Sequence, residues 1–210
     1  MRFWARPIIL KRLSQLLLLS ICFSPFFFMS GKTQAARAAA CPPEGCKIYL
    51  PAVFKYVDQI TNGDFEMEAV GWKEFSAQNY LIILLSTELQ KPPHSGAWAA
   101  WLGGDDEETA SIDQDIFVSA VRPYLQYWQW IVSDEANCSN DEAKVLINAA
   151  VLAQENLCLA TNTNAWEQRS IDLNAFVGQI VNLKFWVSTD PTVGTISSLY
   201  LDDISLQVTP

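Results

Sequence analysis

From residue 57 to its end the chain is a succession of short apolar runs that alternate at every second position, broken repeatedly by turn-forming sequence. Ile112, Ile116 and Val118 interleave with Asp113, Asp115 and Phe117. Residues 179–187 set Val181, Leu183, Phe185 and Val187 against Ile180, Asn182, Lys184 and Trp186. A period of two is the mark of strands with one buried face. Residues 80–85 form a continuous apolar run, as expected of a strand buried on both faces, and residues 124–132 an aromatic-rich one. Pro92-Pro93, Gly103-Gly104, Ser139-Asn140-Asp141, residues 161–164, Asp190-Pro191 and Gly194 punctuate these runs. The spacing predicts about nine to eleven strands. Residues 141–156, rich in Ala, Glu and Leu, are the one helix candidate of any length, and the flanking Cys138 and Cys158 favour a hairpin there. The expected fold class is all-β, a sandwich of two antiparallel sheets.

Residues 1–40 read as a secretory signal peptide: a basic start (Arg2, Arg6, Lys11, Arg12), an apolar stretch over residues 16–29, then small residues around Ala35-Ala36 and Ala38-Ala39-Ala40. An uncleaved membrane anchor and a lipid on Cys41 are the competing readings. The apolar run is short and holds Pro25, and Ala38 stands where a lipoprotein signal places a leucine-like residue. Residues 41–57 are a linker or a short edge segment, and residues 58–210 are one domain.

Without the leader's six basic residues, eight of the 14 basic residues remain against 23 acids, a net charge of −15. So acidic a surface repels phosphate backbones and carries no Lys/Arg cluster, which excludes nucleic acid and favours cations. Export also explains the cysteines. Cys22 leaves with the leader, and the four that remain read as two disulfides. Of three connectivities, Cys41–Cys46 with Cys138–Cys158 is the most economical. With a single histidine and no Cys-x-x-Cys pair, zinc is a poor alternative.

Acid-bearing strand segments bracket the domain: Thr61-Asn62-Gly63-Asp64-Phe65-Glu66 at its start and Leu199-Tyr200-Leu201-Asp202-Asp203-Ile204 at its end. With Gly71-Trp72, His94-Ser95-Gly96, Ile112-Asp113-Gln114, Ile171-Asp172-Leu173 and Phe176-Val177-Gly178-Gln179 between them, the order resembles the galactose-binding-like jelly rolls over roughly residues 60–208. That superfamily includes carbohydrate-binding modules and MAM-type domains of secreted bacterial proteins. The resemblance implies a jelly-roll topology and a structural calcium ion tying first strand to last. Its ligands would be Glu66 and one of Asp202 and Asp203, with oxygens near Asn62 or in residues 95–99. Alternation, taken with Ile204 and Leu206 facing the core, turns Asp202 inward and Asp203 outward. An inward carboxylate needs a cation or hydrogen bonds.

Catalysis has little to stand on. His94 and Ser95 are adjacent in a turn and point apart, and no Gly-x-Ser-x-Gly elbow accompanies them. Asp105-Asp106-Glu107-Glu108 reads as a solvated loop rather than a separated carboxylate pair. Tryptophans offer more, because sugars stack their C–H faces on indole rings while amides bond the hydroxyls. On the aromatic strand, Tyr124, Gln126, Trp128 and Trp130 share one face and Leu125, Tyr127, Gln129 and Ile131 the other. One face must be core. Tyr127, Trp128, Gln129 and Trp130 are the candidate glycan-binding residues. The expected function is a secreted, non-catalytic binding module for carbohydrate, stabilised by calcium. The alternative is a MAM-type adhesion module that binds a cell-surface protein and no sugar.

Overall fold

The computed structural model describes residues 60–191 and 194–210. The leader, the linker and the Cys41–Cys46 pairing lie outside the described residues. Ten strands follow in order: β1 (Lys73–Ser76), β2 (Ile83–Leu85), β3 (Trp98–Gly103), β4 (Thr109–Phe117), β5 (Tyr124–Ser133), β6 (Asp141–Ile147), β7 (Ala150–Leu157), β8 (Glu167–Asp172), β9 (Ile180–Ser188) and β10 (Ser197–Gln207). They form two five-stranded sheets, β1-β4-β9-β6-β7 and β2-β3-β10-β5-β8, and every pairing among them is antiparallel. The two sheets make the β-sandwich that the strand alternation predicts.

The core lies between the sheets and is supplied by alternate residues. Ile112 and Ile116 of β4, Val181, Leu183, Phe185 and Val187 of β9, and Leu125, Tyr127 and Ile131 of β5 all face it. The apolar run at residues 80–85 pairs only over Ile83–Leu85. Only its residues 82–84 are buried on both faces, with Ile82 and Ile83 in the main core and Leu84 on the outer side with Trp101 and Tyr200, whereas Leu81 is 42% exposed. The helix-like stretch is the β6–β7 hairpin, turning at Asn148 and Ala149, both at positive φ. Cys138 and Cys158 are disulfide-bonded across its open end, with Cα atoms 5.0 Å apart.

One sequence expectation fails in β10. The register slips between Asp202 and Ser205, and Asp203 adopts φ 47°. This bulge inserts a residue, so the alternation reverses parity. Leu199 and Leu201 face the core before it, Ile204 and Leu206 after it. Asp202 therefore stands on the outer face with Tyr200 and is not directed into the sandwich core. It is nonetheless buried, beneath the segment that carries His94 and Ser95.

Candidate functional site

Three places gather chemistry. The first is the corner where the two acid-bearing segments meet. Asn62 organises the loop before β1: its amide donates to the carbonyls of Glu68 and Val70, and its Oδ1 accepts from the Met67 N–H at 2.9 Å. Trp72 Nε1 donates to the Asn62 carbonyl. Gln114 holds the same loop by accepting from Thr61 N–H and donating to the carbonyls of Thr61 and Gly71. Gly63 is required, since a Cβ there would lie 1.8 Å from the Ile204 carbonyl oxygen. Glu66 and Asp202 then grip one segment from two sides. Glu66 Oε1 accepts from the Ala97 and Trp98 N–H groups at 2.8 and 2.9 Å, and Asp202 Oδ2 from those of His94 and Ser95 at 2.9 and 3.1 Å.

Among the described residues, no three His, Cys, Asp or Glu side chains gather as a metal cluster. Of the four expected calcium ligands, Asn62 has its side-chain oxygen engaged by Met67, and Asp203 bonds His94 Nδ1 at 2.5 Å and the Ser95 hydroxyl at 2.8 Å. Glu66 and Asp202 retain carboxylate lone pairs. Burial, opposed by three backbone hydrogen bonds and reinforced by the charge on Asp203, pushes the Asp202 carboxyl up to about 7. No lysine or arginine among the described residues pairs with it. A buried acid without a cationic partner fits a site for a hard cation, provided backbone carbonyls supply most of the six to eight oxygens calcium takes.

His94 and Ser95 do not make a nucleophile and its base. The Ser95 hydroxyl donates to Asp203, and His94 shares that same carboxylate, so no Ser–His bond exists. The acidic loop also differs from its sequence reading. Glu107 is exposed, but Glu108 is fully buried, with Oε2 accepting from Gln78 N–H. Asp105 accepts from the Tyr80 hydroxyl at 2.5 Å, and Asp106 from Gly194 N–H. These acids lash loops together and do not form a solvated run.

The second place is the outer face of the β2-β3-β10-β5-β8 sheet. Trp128 and Trp130 lie there, half-buried, whereas Tyr127 and Gln129 belong to the opposite parity and are buried inside. Tyr127 packs edge-on against Phe185, and burial together with the Glu155 charge raises its hydroxyl pKa. Neither can touch a ligand on the outer face. Trp128 has one ring face covered by the His94 imidazole, stacked at 3.9 Å and 16°. Trp130 is flanked by Trp166 and capped by the Lys91 ammonium at 5.2 Å.

The third place was missed by sequence reasoning. On the outer face of the β1-β4-β9-β6-β7 sheet, one row crosses all five strands: Gln154, Lys144, Trp186, Ser111 and Phe75 are successive cross-strand partners. Trp186 is half-buried on the central strand, and Phe75 is 56% exposed. Two strand spacings, about 10 Å, separate them. Lys144 lies over the indole at 4.8 Å and ion-pairs with Glu142, which also accepts from Gln154. On the next row Asp113 is flanked by Lys184 and Lys73 and accepts from Asn182. The signal was available. Trp186 falls on the polar parity of its strand, with Asn182 and Lys184, and a tryptophan on the wet side of an alternating strand needs a reason to be there.

No family model and no curated protein matches the chain. Among solved structures it is similar to the carbohydrate-binding module TmCBM61, in complex with β-1,4-galactotriose: 11% identity, TM-score 0.51, covering 71% of this chain and 97% of that one. It is also similar to the K3 cleaved adhesin domain of Lys-gingipain from Porphyromonas gingivalis, at 17% identity and TM-score 0.48, covering 69% and 96%. A Stig cyclase from Fischerella is similar at 12% identity and TM-score 0.43, covering 69% and 93%. At such identities the likeness speaks for fold alone, and the two lower scores carry no argument. The fold shared with TmCBM61 is a sandwich of two antiparallel β-sheets. No helix among the described residues is long and apolar enough to cross a membrane.

Proposed function

We propose that this is an exported, non-catalytic carbohydrate-binding module whose platform is the outer face of the β1-β4-β9-β6-β7 sheet. One observation carries this reading: a half-buried tryptophan sits on the central strand of the outer face, on the polar parity, with Lys144 over its ring, Glu142 and Gln154 on the neighbouring strands, and Asp113 and Asn182 on the rows beyond. An indole supplies the stacking surface, and the surrounding amide and charged groups supply donors and acceptors for hydroxyls. Phe75, on the edge strand, extends the apolar surface along the row. The face is a platform and not a deep cavity, which suits the interior of a polysaccharide chain. Binding of the oxidised protein to an array of neutral polysaccharides tests it. Retention on at least one, lost in Trp186→Ala, supports the proposal; uniformly negative binding overturns it and leaves the MAM-type adhesion reading ahead.

Trp128 supports a second reading on the opposite face, because His94 backs its ring and Gln126 and Gln168 lie beside it, joined at 3.1 Å. Trp128→Ala separates the two faces in the same assay.

Calcium at the corner is part of the proposal, with Glu66 and Asp202 as its side-chain ligands. When bound, the ion would neutralise Asp202 and tie the loop before β1 to β10. Thermal unfolding with added calcium and with a chelator tests it. A rise in midpoint that Glu66→Gln abolishes is expected; identical melts would overturn the calcium site.

A further inference from the structure

β7 and β8 are the edge strands of opposite sheets, and between them the sandwich opens into a crevice of about 330 Å³. Arg169 of β8 stands in it between two carboxylates. Its Nε lies 3.2 Å from Glu155 Oε1 and its Nη2 3.3 Å from Glu167 Oε2. The Nε is buried and makes no aligned hydrogen bond, so the short approach to Glu155 is an ion pair with the N–H off line. A guanidinium carries five N–H donors in a planar fork. Here Nη1 has no protein partner among the described residues.

Glu155 is held from behind. Gln129, 3% exposed, donates from Nε2 to Glu155 Oε2 at 2.9 Å. Gln129 therefore is a positioning residue for this crevice, not a ligand contact on the aromatic face. One wall is equally fixed: Asn162 exchanges two hydrogen bonds with the backbone of Ser133, at 2.6 and 2.9 Å. Asn156 completes the lining, with an exposed amide that bonds to nothing among the described residues.

The chemistry of this lining selects by exclusion. Two carboxylates against one guanidinium leave a net negative charge, which repels anions. There is no aromatic or aliphatic floor to attract an apolar ligand. What remains is a ligand whose adjacent groups both donate and accept, as vicinal hydroxyls do, facing an alternation of carboxylate, guanidinium and amide. A volume near the lower end of the range for small-molecule sites, about 300 to 1,000 Å³, accommodates one ring and not a chain. We propose that this crevice is a second glycan site that takes a single neutral sugar residue, such as a chain terminus, through Arg169, Glu155, Glu167 and Asn156. The proposal rests on the glycan reading for its class of ligand and uses a different site.

The test is amide chemical-shift mapping on the oxidised protein, titrated with galactose, glucose and mannose, and with galacturonate as an anion. At least one neutral hexose is expected to move the amides of Glu155, Asn156, Glu167 and Arg169 in a saturable way. Galacturonate should bind at least roughly tenfold more weakly, and Arg169→Lys should weaken the hexose by roughly tenfold, since an ammonium cannot reproduce the planar fork. Trp186→Ala should leave these shifts unchanged. If no neutral hexose moves these amides in the wild type, the crevice site is wrong, and this arm requires no variant to fold. Unchanged affinity in Arg169→Lys would also overturn it. Polysaccharide shifts confined to the Trp186 row would defeat this site and leave the proposed function standing, whereas no shift with hexose or polysaccharide would defeat both.

Discussion

At the scale of single residues, the corner between the bracketing segments concentrates the strictest demands. Gly96, at φ 57°, allows the Glu66 carboxylate to reach its amides; a Cβ there would lie 2.2 Å from Glu66 Oε1. Gly63 is tighter still, because its neighbour is backbone and cannot swing aside. Gly63→Ala is expected to destabilise the domain by about 2 kcal/mol or more, an overpacking cost, seen as a fall in melting temperature. Asp202 adds a pH dependence. Its folded carboxyl, raised to about 7 chiefly by burial, holds a proton more tightly than the unfolded one at 3.8. The contribution is therefore full below about pH 4 and lost as pH rises through 7. Asp141, raised by burial and by the charges of Asp190 and Glu135, adds in the same direction. In chelator-containing buffer, the melting temperature should fall between pH 4 and 7, and Asp202→Asn should flatten that slope. A rise over the same interval would contradict this assignment.

At the scale of elements, the β6–β7 hairpin is stapled by Cys138–Cys158 across a sequence separation of 20. Loop-closure entropy assigns such a bridge about 3 kcal/mol, so Cys138→Ser with Cys158→Ser should lower stability by that order in denaturant unfolding. Strands such as β4, β5 and β9 were legible in the sequence because period-two alternation and burial are two descriptions of one geometry. The bulge at Asp203 was not legible. It depends on pairing with β5, and nothing in Asp202-Asp203-Ile204 announces an extra residue. That single slip moved Asp202 from the core side to the outer side and reassigned its neighbours. Likewise, alternation separated Tyr127 and Gln129 from Trp128 and Trp130 correctly, but which parity was core depended on the facing sheet. Trp186 was overlooked for a related reason. Its row becomes a platform only when four other strands bring Gln154, Lys144, Ser111 and Phe75 alongside.

At the scale of the whole molecule, the two sheets have unlike outer faces. One is roofed in part by the His94 segment and its tryptophan neighbours, held down by Asp202, Asp203 and the Trp166 bond to the Pro92 carbonyl. The other carries the half-buried Trp186, with Lys144 over its ring, and the exposed Phe75, among paired charges. The first arrangement stabilises the fold, and the second is the proposed binding surface. The strong acidity of the chain, with 23 acids, turns recognition toward neutral ligands and away from anionic polymers. Trp186 is proposed as the stacking residue of a glycan platform. Affinity electrophoresis through gels containing a polysaccharide that binds the protein on the array, comparing wild type with Trp186→Ala and Trp128→Ala, tests this role. Trp186→Ala is expected to migrate as freely as in a polysaccharide-free gel while still melting cooperatively, and Trp128→Ala to remain retarded. Retardation of Trp186→Ala equal to that of the wild type would contradict it.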